Sequence, residues 1–241
     1  MPRYAIILIA GSGQRWGSGD KCLLSIREVP IAIYSLEAFI LSGLFERYFF
    51  VYRDDEQKIQ LQAYIQKHFP KYIEIISWIS GGKTRYESVF HALQHIAAHA
   101  EHESYVFIHD GARPLLNVKN LHQLNQALST ETGATLAHRV TDTTLEVAEN
   151  TTQRKYLQRD HLWAIETPQA FYFPRLFEDY QRIMAQHAQN YTDDTSLYSG
   201  PLKLIENRHL NPKLTYACDL ALINYLLSQQ KNTWALSDST T

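Results

Sequence analysis

Residues 4–10 read Tyr-Ala-Ile-Ile-Leu-Ile-Ala, and residues 11–21 continue Gly-Ser-Gly-Gln-Arg-Trp-Gly-Ser-Gly-Asp-Lys. The first stretch is a continuous apolar run, the mark of a strand buried on both faces of a parallel sheet. The second holds four glycines within nine positions. Glycine admits positive φ and lets a ligand approach the main chain closely. Successive N–H groups in such a loop form a nest for an anion, and Arg15 and Lys21 add positive charge at its lip.

Three readings of this loop compete. A plain turn with a solvated arginine and lysine is one. A dinucleotide-binding turn is another, because Gly11, Gly13 and Gly17 approximate its fingerprint. That fold wants an acidic residue about 20 positions on, at the end of the second strand. Here the second strand ends near Arg53-Asp54-Asp55, too late, and Lys21 is left without a role. A P-loop fails as well, since Cys22 follows Lys21 where Ser or Thr is required. A triphosphate loop served by one arginine and one lysine uses every notable residue.

Outward from the loop, strands and helices alternate. Helical patterns cover Ile31–Leu41 after Pro30, a polar segment after Tyr52, Tyr86–Ala98 and Val118–Leu128. Strand-like runs lie at Tyr48–Tyr52, Tyr72–Ile76 and Tyr105–His109. This alternation predicts an α/β fold, a three-layer Rossmann-like domain with a mostly parallel sheet. From about residue 138 to 162 the chain becomes rich in threonine and charge and loses helical periodicity. It predicts a projecting β-arm, too weak to stand alone and therefore packed on another subunit. A helix from about Pro174 to Ala188, a short strand at Leu202–Ile205 and a helix at Cys218–Ser228 follow. The domain is expected to span 1–229, with 230–241 a polar tail.

The totals bound the function. Lysine and arginine number 23 against 25 acidic residues, a formal charge of −2. That balance lacks the basic stripe of a nucleic-acid binder. No apolar segment approaches the roughly 20 residues of a membrane span, and the apolar start runs into a loop rather than a signal-peptide cleavage site. Cys22 and Cys218 form neither a disulfide framework nor a metal cluster. A reducing, cytoplasmic setting is expected.

A strand ending in Ala10-Gly11-x-Gly13-x-Arg15, with a lysine some residues later, resembles the signature of sugar-nucleotide and polyol-phosphate nucleotidyltransferases. Gly81-Gly82 with Arg85 and Glu87-Ser88-Val89 comes next, then His109-Asp110-Gly111-Ala112-Arg113-Pro114 and Thr141-Asp142-Thr143. Thr167-Pro168-Gln169-Ala170-Phe171, Thr192-Asp193-Asp194 and Asn211-x-Lys213-x-Thr215 complete the series. In order and over nearly the whole chain, it is similar to that of the 2-C-methyl-D-erythritol 4-phosphate cytidylyltransferase family.

The resemblance implies transfer of a cytidylyl group from CTP to a polyol phosphate in non-mevalonate isoprenoid biosynthesis, with pyrophosphate leaving. The attacking phosphate oxygen is already an anion, so no protein base is needed. Arg15 and Lys21 would act on the α-phosphate. Ile9, Ala10, Gly11, Ser12, Gly13, Gly82, Ser88 and Asp110 would bind the nucleotide, with main chain and the Ser88 hydroxyl reading cytosine. Arg113, Thr143, Arg159, Thr192 and Lys213 would hold the polyol phosphate. Mg²⁺ would be held mainly by the CTP phosphates, with Asp110 the candidate protein ligand. Thr143 and Arg159 lie in the arm, which implies a homodimer with composite sites. A ribitol-5-phosphate cytidylyltransferase and a non-catalytic nucleotide-binding relative remain the alternatives.

Several positions depart from the family's pattern. Asp20-Lys21-Cys22 stands where Pro-Lys-Gln is common. Asp20 sets a negative charge beside Lys21, and Cys22 is either a thiol activated by that cation or a small buried side chain. Glu166 and the Glu206-Asn207-Arg208 stretch bear on the substrate end.

Overall fold

The computed structural model describes residues 1–11, 19–99, 101–148, 153–186, 191 and 193–229. The expected tail, 230–241, lies outside the described residues. The elements run β1 (Arg3–Leu8), β2 (Ser25–Ile26), β3 (Val29–Pro30), α1 (Ile31–Ser42), β4 (Arg47–Tyr52), α2 (Asp55–His68) and β5 (Ile76–Ser80). They continue α3 (Arg85–His99), β6 (Tyr105–Asp110), α4 (Val118–Ala127), β7 (Gly133–Arg139), β8 (Leu145–Val147) and β9 (Arg154–Tyr156). β10 (Trp163–Tyr172), α5 (Phe173–Ala185), β11 (Leu202–Glu206) and α6 (Ala217–Gln229) complete the order.

Seven strands form one sheet in the order β11-β7-β10-β6-β1-β4-β5. β10 runs antiparallel to both of its neighbours, and the other pairings are parallel. The period of two along β1 divides the core. Ala5 and Ile7 join the side packed by α1 and α4, while Tyr4 and Ile6 join the side packed by α3 and α5. This is the expected three-layer α/β arrangement.

α1 shows how sequence sets packing. Ile31, Ile33, Leu36 and Phe39 are fully buried, each worth about 1.5–3 kcal/mol relative to an exposed side chain. The helix stops at Gly43, whose φ of 65° is left-handed and whose N–H donates to the Ile40 carbonyl at 3.0 Å.

The Tyr72–Ile76 strand is not formed as expected. Pro70 opens a tight 3₁₀ segment over Pro70–Ile75, and the strand begins at Ile76. Proline fixes φ near −65° and removes a donor, which suits a helical first turn rather than a ladder. Two sheet strands, β7 and β10, also lie where the pattern suggested none. Pro168 within β10 argues against a central strand. The sheet accommodates it where the β7 pairing shifts register between Ile165 and Gln169.

The expected arm of about 138–162 lies between two paired strands of the sheet, β7 and β10, which meet at Arg139 and Trp163. His138 and Arg139 still belong to β7, and Leu145–Val147 pairs antiparallel with Arg154–Tyr156 in a separate ribbon. Val147 and Tyr156 are 57% and 64% exposed.

Candidate active site

The chain leaves β1 for β4 and β5 on one side and returns to β6 on the other. Ligands of open α/β sheets bind at such a switch, beyond the carboxyl ends of the strands. Here those ends are drawn together by main chain. Ile9 donates to the Val51 carbonyl at 3.0 Å, Gly111 to Leu8 at 2.9 Å, and Gly81 to Tyr52 at 2.7 Å. Close approach demands glycine at position 81: an added Cβ would sit 2.6 Å from the Ala10 Cβ.

The glycine loop springs from this point. Gly11 is exposed at its start, but Ser12, Gly13 and Arg15 lie outside the described residues, as does Thr192. The far foot is described. Gly19 has φ of 89°, and Asp20 turns its carboxylate inward, with the side chain 6% exposed. One Asp20 oxygen accepts the Cys22 N–H at 2.8 Å; the other accepts Gln57 Nε2 at 2.5 Å and faces the Arg53 guanidinium at 3.2 Å. The Asp20 charge is thus met by Arg53. Cys22 is buried, and burial, helped by the Asp20 charge, pushes its thiol up to about 12. It is a packing residue rather than an activated thiol.

At the end of β5, the structure brings Gly82 and Ser88 together. The Ser88 hydroxyl accepts the Gly82 N–H at 3.0 Å and donates to the Thr84 carbonyl at 2.9 Å. Its one proton is spent on ordering the 81–84 turn, so toward a base it presents only acceptor capacity. The Ile9 carbonyl likewise accepts Gln57 Nε2 at 3.0 Å.

Asp110, the last residue of β6, is ringed by cations. Lys213 Nζ is 2.7 Å from Oδ2, Arg85 Nε is 3.3 Å from Oδ1, and Arg113 Nε is 3.8 Å from Oδ2. Burial alone would raise this carboxyl, but Arg85, Lys213 and Arg113 together hold it well below the usual carboxylate range. Arg85 also pairs with the buried Asp194 at 2.7 Å, and Asp194 accepts the Tyr180 hydroxyl. Three cations around two carboxylates leave a net positive site, suited to phosphate.

His109 has a fixed tautomer. Nε2 lies 3.1 Å from the Arg113 carbonyl, which can only accept, so Nε2 carries the proton. Nδ1 then accepts the Thr167 hydroxyl at 3.1 Å, and the same hydroxyl accepts the Asp110 N–H at 3.1 Å. Burial lowers His109 to about 4. It is a neutral strut beneath Asp110, with no vacancy for acid–base work.

The segment that carries Lys213 is held by Glu166. This buried carboxylate accepts Asn207 Nδ2 at 2.7 Å and Asn211 Nδ2 at 3.1 Å, with His138 Nδ1 at 2.6 Å. Asn211 in turn accepts Arg113 through its carbonyl at 2.7 Å. Arg113 and Lys213 are therefore brought together. Thr143 and Arg159 are not: both are exposed on the arm, where Arg159 donates to the Thr141 carbonyl at 3.2 Å. Among the described residues neither bonds to the Asp110 cluster.

Among the described residues no three His, Cys, Asp or Glu side chains group as a metal site. Asp110 already turns both oxygens toward cations. Its oxygens are donors of the hard kind that Mg²⁺ takes, and they already face Lys213, Arg85 and Arg113.

Sequence reasoning gave no role to Gln57, Arg85 or Asp194, and set Glu166 only at the substrate end. Gln57 had a legible signal, because Asp54-x-x-Gln57 is a capping pattern and Asp54 does accept the Gln57 N–H at 2.9 Å. Glu166 was visible only as a departure from pattern, since its partners are at positions 138, 207 and 211.

Comparison with known proteins agrees with this geometry. The family model described as "IspD: 2-C-methyl-D-erythritol 4-phosphate cytidylyltransferase" matches residues 4–229. A protein of that name from Bacillus cytotoxicus is 32% identical over 230 residues, covering 94% of this chain and 98% of its own. One from Dictyoglomus thermophilum is 30% identical over 232 residues, covering 94% of this chain and 96% of its own. The fold is shared with the crystal structure of 4-diphosphocytidyl-2C-methyl-D-erythritol synthase from Anaerococcus prevotii, at TM-score 0.79 and 24% identity over 94% of this chain and 98% of that one.

Proposed function

Since this chain belongs to the 2-C-methyl-D-erythritol 4-phosphate cytidylyltransferase family, we propose that its reaction is transfer of the cytidylyl group of CTP to 2-C-methyl-D-erythritol 4-phosphate. Pyrophosphate is released, and the product belongs to non-mevalonate isoprenoid biosynthesis. The observation that carries this reading is the cluster of Lys213 and Arg113 on Asp110 beside the strand-order switch.

An oxygen of the polyol phosphate attacks the α-phosphorus; the bond to the bridging oxygen of pyrophosphate breaks. Positioning and charge neutralisation supply most of the catalysis in such transfers. Lys21, and Arg15 in the part of the loop outside the described residues, neutralise the α-phosphate as it becomes crowded. Main chain from Ile9 to Gly13, the Gly82 turn and Ser88 hold the nucleotide. Arg113 and Lys213 receive the polyol phosphate, Arg113 as a planar fork and Lys213 as a point charge. Asp110 holds these two cations together and orients them through one oxygen, Oδ2. Mg²⁺, when bound, neutralises the triphosphate oxygens, with Asp110 as the protein residue that would share it.

Thr143, Arg159 and Thr192 complete the polyol pocket, the first two from the arm of a partner subunit. Exposed Leu145, Val147 and Tyr156 on that arm support a homodimer. Residues 1–229 act as one nucleotidyltransferase domain in the cytoplasm, where nucleotide and phosphorylated polyol meet. Asp20 and Cys22, the departures beside Lys21, would favour a non-catalytic relative only if they disabled that lysine, but the carboxylate is paired with Arg53 and the thiol is buried.

The test is pyrophosphate release from CTP and Mg²⁺ with each polyol phosphate. Turnover with methylerythritol phosphate well above that with ribitol 5-phosphate is expected. Preference for ribitol phosphate would reassign the substrate, and CTP binding without pyrophosphate under either would make the chain a binding protein.

A further inference from the structure

We propose that Gln57 is a positioning residue for cytidylyl transfer: its single carboxamide ties together the two feet of the glycine loop. The inference rests on the function proposed above and assigns a role to a residue outside the loop and outside the phosphate cluster.

The geometry starts from β4. The strand ends at Tyr52, Asp54 caps the next helix, and the first turn of α2 aims Gln57 at Ile9 and Asp20. Gln57 is fully buried. A carboxamide has two N–H donors and one carbonyl oxygen, and all of them are engaged. Nε2 donates to the Ile9 carbonyl at 3.0 Å and to Asp20 Oδ2 at 2.5 Å, and Oε1 accepts the Arg53 N–H at 2.9 Å. Ile9 stands before the loop and Asp20 at its end, so one planar group spans the gap between them.

Each foot passes this restraint to functional atoms. Ile9 leads to Ala10, packed against Gly81 on the nucleotide side. Asp20 accepts the Cys22 N–H through its other carboxylate oxygen at 2.8 Å, and its carbonyl accepts Leu23 and Leu24 at 3.2 and 3.1 Å. Lys21 is thereby bracketed by pinned backbone. The Gln57 amide sets the separation between the nucleotide edge and the lysine that meets the α-phosphate. Without it, CTP would have to fix the separation of Ile9 and Lys21 as it binds, a cost that preorganisation avoids. The polyol-phosphate cations are held by Asp110 and Glu166 instead and do not depend on Gln57.

Two variants separate this role from simple packing. Gln57→Leu fills the space without either link; Gln57→Glu keeps the shape but faces Asp20 with a second carboxylate. Steady-state kinetics should show kcat/KM for CTP reduced about 10-fold or more in both, on the scale of a lost orienting contact. KM for the polyol phosphate should stay within about twofold, because its cations are anchored elsewhere. Gln57→Glu combined with Asp20→Asn restores a donor–acceptor pair between positions 57 and 20, though not the bond to the Ile9 carbonyl, and should recover part of the Gln57→Glu loss. Hydrogen exchange at the Cys22 and Leu24 amides should rise in Gln57→Leu.

Folded variants with unchanged kcat/KM for CTP would overturn the proposal, as would losses that the double variant does not relieve. If the position-57 variants fail to fold, Asp20→Ala alone removes the acceptor of the same link and must show the same CTP-selective loss. Should the unaltered protein release no pyrophosphate, the proposed function fails separately. The clamp is then judged by CTP affinity from calorimetry: a several-fold drop in Gln57→Leu supports it, and equal affinity rejects it.

Discussion

Lys213 Nζ and Asp110 Oδ2 lie 2.7 Å apart across 103 residues of chain. The lysine arrives on the segment after β11, held by Glu166, and the aspartate ends β6 at the sheet's switch point. Their pairing joins the end of β6 to the segment after β11, and Arg113 leans on the same carboxylate.

Removing the lysine should therefore harm both binding and stability. Lys213→Ala is expected to raise KM for the polyol phosphate by at least about 10-fold, the order of one charge-assisted contact. It also leaves Asp110 with less compensation. The lysine side chain is 33% exposed, so the stability loss should be about 1–2 kcal/mol rather than the 3–5 typical of a fully buried pair. Urea denaturation and steady-state kinetics check the two effects separately.

Lys21 should behave differently. Lys21→Ala is expected to lower kcat by about 10²–10³-fold with substrate affinities little changed, as for a group that acts mainly on transition-state charge. Normal kcat in that variant would remove Lys21 from the chemistry.

Stability should fall on mild acidification because of His109. Its folded value of about 4 lies below the ordinary 6.5, so the unfolded chain binds the extra proton between those limits. Stability is full above about pH 6.5 and is lost progressively toward pH 4, by about 3 kcal/mol if no other group compensates. Asp110 adds to the loss at lower pH, since its folded value lies below the ordinary 3.8. Denaturation curves between pH 4 and 7 should be visibly flatter in His109→Gln.

The two thiols should differ in reactivity. Cys218 is exposed and Cys22 is buried with its thiol pushed up to about 12. Iodoacetamide at pH 8 is expected to label Cys218 alone in the folded protein and both in denaturant; rapid labelling of Cys22 in the native state would contradict its packing role.

A composite site can be tested by mixing. If Arg159 serves the partner's site, Lys21→Ala and Arg159→Ala proteins are each nearly inactive but form one intact site per mixed dimer. Random exchange should restore about a quarter of normal activity. No recovery after verified exchange would assign Arg159 to its own subunit's site, or to none.

Much of the scaffold was legible because its signals are local. The β1 run, the helices opening at Ile31 and Val118 and the Asp110–Pro114 turn each carry their pattern within a few residues. β7 and β10 were not, since Pro168 and the charged, threonine-rich approach to Trp163 mask a strand that depends on its neighbours. At the site, Asp110, Arg113 and Lys213 could be picked out as residue types within motifs. Their mutual contacts, and the Gln57 and Glu166 supports, are long-range pairings that no local pattern encodes. The direction of the Asp20 carboxylate is of the same kind, decided by Arg53 and Gln57.

The position of β10 bears on how the protein is made. It fits between β6 and β7 and runs against both, so the edge of β6 stays open until residue 172 has emerged from the ribosome. Until then the nascent chain presents an unpaired apolar strand, the kind of surface that recruits other strands. The β6 edge closes before the Lys213 segment has been synthesised, and Asp110 meets its lysine only after that. A translational stall in the arm would therefore yield a sticky half-sheet rather than a slow enzyme.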